Sequence, residues 1–107
     1  MKSVRLGLAL LLCVPTLEVA MAQKSPAEQR GLVFARTNCA QCHSIDLIGP
    51  STLSVAPPFR DLHQRYPVED LQESLAEGIR TGHPSMPEFR LEPDQIGDFI
   101  AFLKTLE

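Results

Sequence analysis

The sequence predicts a small all-α domain of three to five helices. Apolar residues recur three or four positions apart along several segments of the 107-residue chain, which is the spacing of a helix with one buried face. Two segments open with helix-start signals, at residues 25–28 and 91–94. No run of alternating or β-branched residues indicates a strand after residue 22, so helices are the expected regular elements.

Residues 1–22 have the three parts of a secretory signal peptide. Lys2 and Arg5 form a short basic region, residues 6–14 form an apolar run, and residues 20–22 form a small-residue cleavage pattern. A run of this length is about half of what a bilayer core requires, so a transmembrane anchor is not expected. The sequence therefore predicts export to the periplasm and cleavage after residue 22.

The domain predicted at residues 23–107 begins with a capped helix. Ser25 and Glu28 form a capping box, and Pro26 takes the first helical position. This helix is expected to run into residues 39–43. Residues 44–58 lack periodicity and contain three prolines, so they are expected to form a loop.

Three further helices are expected after this loop. The first is short and covers residues 59–66. The second has the apolar face Val68, Leu71, Leu75 and Ile79, with Gly78 near its end. The last begins at residues 91–94, and its apolar face is Ile96, Phe99, Ile100 and Leu103. Gly97 and Ala101 form a second line of small residues on this helix, which suits a close helix contact.

Charge and size narrow the possible functions. The chain has 10 basic and 13 acidic residues and a formal net charge of −3 at pH 7. Because an acidic surface does not attract a phosphate backbone, no nucleic-acid partner is expected. A domain this small builds only a marginal core, so a disulfide, a metal or a cofactor is expected to stabilise it.

Cys39, Cys42 and His43 form a C-x-x-C-H motif, which is typical of covalent haem attachment. The two intervening residues let both thiols reach one edge of the macrocycle, and the next residue places an imidazole under the iron. The third cysteine, Cys13, lies in the predicted signal peptide. The motif therefore predicts one covalently attached haem c per chain.

Three other uses of two close cysteines compete with this interpretation. A zinc site needs two more ligands, and only His63 and His83 are left. A thioredoxin-like dithiol needs a βαβ setting, which the sequence does not indicate. A disulfide across two residues closes almost no loop and stabilises little. Zinc or thiol chemistry is the alternative if the chain carries no haem.

Met86 is the candidate for the sixth iron ligand. It is the only methionine after the predicted signal peptide, and it lies between Pro84 and Pro87, which stiffen the segment around it. His83 is the rival ligand, and ligation by two histidines would lower the reduction potential. Apart from this possible role, His63 and His83 are expected to be exposed.

The order of these features resembles a small class I c-type cytochrome over residues 23–107. The resemblance rests on the capped helix, the C-x-x-C-H motif, a proline-rich loop, a Met-Pro loop and an amphipathic C-terminal helix. It implies a helical domain wrapped around one haem, with the Pro57 carbonyl accepting a hydrogen bond from Nδ1 of His43. It also implies that the last helix crosses the first one at Gly31. One departure is Ala35, where the family often has an aromatic residue, since Phe34 comes one position early.

The resemblance implies a one-electron carrier, not an enzyme, that cycles between ferric and ferrous haem. Its metal ligands would be His43 and Met86, and its thioether anchors would be Cys39 and Cys42. The residues expected to pack around the haem are Leu32, Leu53, Phe59, Leu71, Leu75 and Phe99. The candidates for binding the haem propionates are Arg60, Tyr66 and Arg90.

Two alternative functions stay open beside the free carrier. One is the haem-binding subunit of a periplasmic dehydrogenase complex, and the other is a sensor or peroxidase-like protein with a labile Met86 ligand. The partners are expected to be redox proteins. Since Lys24 and Lys104 are the only lysines after residue 22, the docking face is expected to be neutral, apolar or basic, and not a ring of lysines that suits an acidic partner. The mature chain is expected to be a monomer or a subunit of such a complex.

Overall fold

The computed structural model describes residues 2–4, 7, 9–17 and 23–107. In these residues helix α1 covers Pro26–Asn38, α2 covers Leu71–Glu77 and α3 covers Pro93–Lys104. Two 3₁₀ helices, Phe59–Gln64 and Val68–Asp70, lie between α1 and α2. The one β pairing of the described residues is an isolated antiparallel bridge between Ile79 and Phe89. The predicted all-α fold is confirmed.

Capping interactions set the start of the two long helices. At α1, Ser25 Oγ accepts a hydrogen bond from the Glu28 amide at 3.2 Å, and a Glu28 carboxylate oxygen accepts one from the Ser25 amide at 3.1 Å. At α3, the Glu92 amide donates to the Gln95 side-chain oxygen at 3.0 Å. These bonds satisfy amides that the first helical turn leaves without a partner, and the capping box of α1 is the one that the sequence predicted.

The helix expected over residues 68–79 is shorter in the structure. Its first residues form a 3₁₀ turn, and α2 ends at Glu77 because Gly78 adopts a φ of +109°, which an L-residue rarely tolerates. Ile79 then leaves the helix, and its amide donates to the Phe89 carbonyl at 2.9 Å. Ile79 fits the helical spacing of apolar residues although it lies beyond the end of α2. It is partly buried because it pairs with Phe89 and packs against the apolar cluster.

The crossing of α1 and α3 depends on Gly31. A Cβ at this position would overlap the Asp98 carbonyl and Phe102, so the two backbones approach as closely as they do only because Gly31 has no side chain. This confirms the crossing that the resemblance implied. The expected close contact at Gly97 is wrong, since a Cβ there would meet nothing within 4 Å. Helix α3 turns Asp98 and Phe102 toward α1, which leaves Gly97 exposed.

A single apolar cluster connects α3 to the other elements. Phe102 and Leu103 of α3 and Val68 are each 1% exposed and form its centre. The remaining buried apolar residues of the cluster are Ala35, Ile45, Phe59, Leu62, Leu75, Leu91, Ile96, Phe99, Ile100 and Leu106. The loop predicted at residues 44–58 is confirmed, and hydrogen bonds such as that from the Ser44 amide to Ser51 Oγ at 3.0 Å hold it.

The predicted signal peptide lies apart from this cluster. Its described apolar side chains are exposed, including Leu11 at 91% and Leu12 at 82%. Arg5 and the predicted cleavage pattern at residues 20–22 lie outside the described residues. None of the helices in the described part of the chain is long and apolar enough to cross a membrane.

Candidate functional site

An apolar cavity of about 450 Å³ lies beside the buried cluster. Cys39, Cys42, His43 and Met86, which the sequence singled out, all line it. Apolar side chains form most of the remaining wall, and they include Phe34, Leu53, Phe59, Leu71, Leu75, Ile79, Phe89, Leu91 and Phe99. The fold therefore brings two thiols, an imidazole and a thioether together around one apolar space.

One wall of the cavity, which we call the proximal wall, carries the C-x-x-C-H motif. The motif continues the last turn of α1, because the Cys39 amide donates to the Ala35 carbonyl at 2.8 Å and the His43 amide donates to the Cys39 carbonyl at 2.9 Å. Cys39 and Cys42 are half-buried free thiols. Burial raises the pKa of the Cys39 thiol to about 11, so this thiol is neutral at pH 7. It lacks the low pKa of a reactive redox thiolate.

The His43 ring is held in one tautomer on this wall. Its Nδ1 lies 2.8 Å from the Pro57 carbonyl oxygen. Since a carbonyl can only accept, Nδ1 carries the proton and Nε2 keeps the lone pair that a metal ligand needs. The Phe59 ring lies against the imidazole with centroids 4.8 Å apart and limits its rotation. The hydrogen bond that the resemblance implied is present.

A second part of the lining, which we call the distal wall, is the loop that carries Met86. Met86 is half-buried, whereas residues 81–85 are exposed. The Met86 amide donates to the His83 carbonyl at 3.2 Å, and the Ser85 amide donates to Nδ1 of His83 at 3.3 Å. His83 is exposed and also lines the cavity, so the fold places both rival ligands beside it. Met86 is the more buried of the two.

The zinc alternative lacks ligands in this arrangement. In the described part of the chain, no three His, Cys, Asp or Glu side chains lie close enough together to hold a metal ion. His63 is exposed and does not line the cavity. Cys39, Cys42, His43 and His83 line the same cavity, but they are not close enough to one another to supply the four ligands of a structural zinc.

The apolar lining agrees with the sequence in all but one position. Five of the six packing candidates line the cavity, and Leu32 does not. Leu32 lies two positions before Phe34 on α1, so its side chain leaves the helix on another face. There it packs, half-buried, against the apolar cluster. Phe34 lines the cavity from α1 and packs edge-to-face on Phe99 with centroids 5.7 Å apart. The fully buried position beside it is Ala35.

Of the three candidate propionate partners, one lines the cavity and two do not. Tyr66 lines the cavity, and burial raises the pKa of its phenol. Arg60 instead donates to Ser44 Oγ at 3.1 Å, and Arg90 donates to the Glu77 carbonyl at 2.9 Å. Arg65, which the sequence analysis missed, also lines the cavity. The sequence offered one signal for this role, because Arg65 directly precedes the candidate Tyr66.

The donor set fits a flat, apolar macrocycle that carries an iron. Two thiols beside an imidazole lone pair suit covalent attachment with a proximal ligand, and a thioether in the same cavity lining suits a soft distal ligand. Apolar and aromatic side chains form the walls between them, which is the lining that a cofactor of this kind needs.

Comparison with known proteins gives the same result as the site. A match to the cytochrome c family covers residues 28–107. The chain is 32% identical over 92 residues to the cytochrome c-553-like protein of Synechocystis sp., and the alignment spans 86% of this chain and 80% of that protein. No solved structure matches the chain significantly. The chain belongs to the cytochrome c family, whose members carry covalently attached haem c.

Proposed function

We propose that this chain is a one-electron carrier of the periplasm with His43 and Met86 as axial ligands of a single haem. Thioether bonds from Cys39 and Cys42 would attach the haem. The observation that carries the proposal is the meeting of these four side chains around one apolar cavity. The haem supplies the ferric and ferrous states, and the chain holds it and tunes their relative stability.

Each wall has a distinct task in this proposal. His43 presents its Nε2 lone pair because its Nδ1 proton is bonded to the Pro57 carbonyl, which also strengthens the imidazole as a donor. The Met86 thioether favours the ferrous state and raises the reduction potential relative to ligation by two histidines. Phe59, Leu75 and Phe99 line the space and limit water, which disfavours the extra charge of the ferric state.

With both axial positions filled, the iron offers no open site to a substrate. This supports a carrier over a haem enzyme. One observation favours the second candidate, a sensor or peroxidase-like protein with a labile methionine: the loop of Met86 is exposed at residues 81–85. Binding of carbon monoxide to the ferrous protein at neutral pH distinguishes the two, because a firmly ligated carrier binds it poorly.

The proposed location rests on the predicted signal peptide. The described apolar side chains of residues 9–17 contribute nothing to the buried cluster, and the family match begins only at residue 28. Cleavage after residue 22 would leave Gln23 as the first residue. Mass spectrometry of protein recovered from the periplasm tests this, and a chain that retains residues 1–22 would contradict it.

The proposed partners are redox proteins that dock without a ring of lysines. Lys104, the last residue of α3, is paired with Glu69 of the 3₁₀ helix Val68–Asp70. Among the cavity-lining side chains of the described residues none is a carboxylate, and Arg65 is the charged one apart from histidine. This supports a docking face that is neutral or weakly basic. Size-exclusion chromatography of the periplasmic fraction separates a monomeric carrier from a subunit bound to a dehydrogenase.

An absorption spectrum of the exported protein tests the core of the proposal. The protein is produced in a host with haem-attachment machinery and measured oxidised, reduced with dithionite, and after acid–acetone extraction. Haem that stays on the polypeptide, with a weak far-red ferric band from sulfur-to-iron charge transfer, is the expected result. Covalent haem without that band would remove Met86 as the ligand. Complete loss of haem on extraction would remove the thioether assignment of Cys39 and Cys42.

A further inference from the structure

The loop that carries Met86 is closed at its base by contacts between α2 and the segment before α3. The Leu91 amide donates to the Leu75 carbonyl at 2.8 Å, and the Ile79 amide donates to the Phe89 carbonyl at 2.9 Å. Between these two bonds, Arg90 donates to the carbonyl of Glu77. The contact farthest from the core and nearest the loop is an ion pair between Arg80 and Glu88.

Beyond this ion pair, the loop is held mainly by itself. The hydrogen bonds of residues 81–87 in the described structure join positions two or three apart, such as the His83 amide to Thr81 Oγ1 at 3.3 Å. Residues 81–85 are exposed, so little packing restrains them. The direction in which Met86 points is therefore decided at the base of the loop.

Glu88 makes two contacts at this base. Its Oε2 accepts a hydrogen bond from Arg80 Nε at 3.1 Å and lies 3.0 Å from Arg80 Nη2. Its Oε1 lies over the backbone of Gly78, where a Cβ would overlap the carboxylate. Gly78 also has a φ of +109°, so the same residue provides both the turn and the space for Glu88.

We propose that Gly78, Arg80 and Glu88 form a clasp that positions Met86 against the iron. The clasp rests on the proposed function, because it acts only if Met86 is the distal ligand. Arg80 and Glu88 are positioning residues, since they pair at the base of the loop and neither of them lines the cavity. When the clasp opens, the loop can swing outward while the buried cluster stays packed, so an external ligand competes more easily with Met86.

The experiment measures imidazole binding to the ferric, haem-loaded protein. Arg80→Met and Glu88→Gln each remove one charge of the clasp. Because an exposed ion pair contributes little, imidazole is expected to bind about two- to fivefold more tightly in each variant, with a weaker sulfur-to-iron band. The charge exchange, Arg80→Glu with Glu88→Arg, is expected to recover part of this change. The midpoint of denaturant unfolding is expected to stay nearly constant.

Lys104→Met is the matched control. Lys104 and Glu69 form an ion pair of comparable exposure, 52% and 43% against 81% and 40% for Arg80 and Glu88, but it lies away from the loop. Imidazole binding is expected to be unchanged in this variant. An equal change in Lys104→Met would overturn the clasp, since general loss of surface charge would then explain the effect.

Gly78→Ala tests the clasp through the backbone. An alanine would be strained at this φ and would displace Glu88, so imidazole is expected to bind about tenfold more tightly. Unchanged imidazole affinity in Gly78→Ala and in both charge variants would overturn the clasp. Failure of the proposed function looks different: the parent protein would itself lack the sulfur-to-iron band, and Met86→Ala would bind imidazole no better than the parent.

Discussion

The two walls of the cavity are built in opposite ways. On the proximal wall, His43 is fixed by the Pro57 carbonyl, by the Phe59 ring and by the backbone of the turn that ends α1. On the distal wall, Met86 is carried by an exposed loop whose internal hydrogen bonds are short in range. The chain thus orients His43 by its own contacts, whereas in our proposal the position of Met86 depends on the base of its loop.

This difference follows from where each wall meets the core. The proximal wall continues α1, which is packed on α3 through Gly31 and the Arg30–Asp98 ion pair at 2.8 Å. The distal loop leaves the core at Ile79 and returns at Phe89, both half-buried. A ligand carried by a loop can be exchanged or tuned without disturbing the helices, while a ligand on a helix end cannot.

The largest expected effect comes from removing the haem. In the variant Cys39→Ala with Cys42→Ala, the apolar cavity of about 450 Å³ is no longer filled by haem. A fully enclosed cavity of this volume would cost on the order of 10 kcal/mol, which is an upper limit here because the cavity is partly open to solvent. This is comparable to the whole stability of a small domain, so the variant is expected to be largely unfolded by far-ultraviolet circular dichroism. A native-like helical signal would show that the domain folds without haem and would contradict this expectation.

Removing the distal ligand is expected to leave the proximal wall intact. In Met86→Ala the haem stays attached, the sulfur-to-iron band disappears and the reduction potential falls. Imidazole is expected to bind more than about tenfold more tightly, because it no longer has to displace the Met86 thioether and the binding-competent state is fully populated. His83→Ala is the control and is expected to keep the band. Loss of the band in His83→Ala alone would reverse the ligand assignment.

Gly31 on α1 and Gly97 on α3 allow helix packing to be tested separately from iron ligation. Gly31→Ala would overlap the Asp98 carbonyl and is expected to lower the free energy of unfolding by about 1–3 kcal/mol. Gly97→Ala meets open space and is expected to raise it by about 0.5–1 kcal/mol, because alanine favours a helix. Denaturant unfolding of the haem-loaded proteins measures both. A loss of the sulfur-to-iron band in folded Gly31→Ala would show that the crossing also controls the distal wall.

The smallest expected effect is a pH dependence at the same crossing. The Arg30 guanidinium lowers the pKa of the Asp98 carboxyl below its ordinary value. The pair therefore stabilises the fold above about pH 4, where Asp is ionised in the unfolded chain, and this contribution is lost as pH falls through the lowered pKa. The difference in unfolding free energy between the parent and Asp98→Asn should shrink toward zero between pH 5 and pH 2. A constant difference would contradict a role for the charge.

Local patterns predicted the elements better than their ends. The caps of α1 and α3 were predictable because a capping box is a signal within four residues. The end of α2 was predicted two residues late, since Ile79 satisfies helical spacing but packs from a bridge to Phe89, a residue ten positions away. The small-residue line at Gly97 failed for a similar reason, because only the crossing itself decides which face of α3 meets α1.

The sequence alone determined the four candidate ligand and anchor residues, because each was marked by type and spacing: a C-x-x-C-H motif and one methionine between prolines. Only the tertiary structure decided how each is held. The proton on Nδ1 of His43 depends on a carbonyl 14 residues away, and the position of the Glu88 carboxylate depends on the absence of a side chain at Gly78. Residue types specify which chemistry is possible, and the contacts between distant segments specify its orientation.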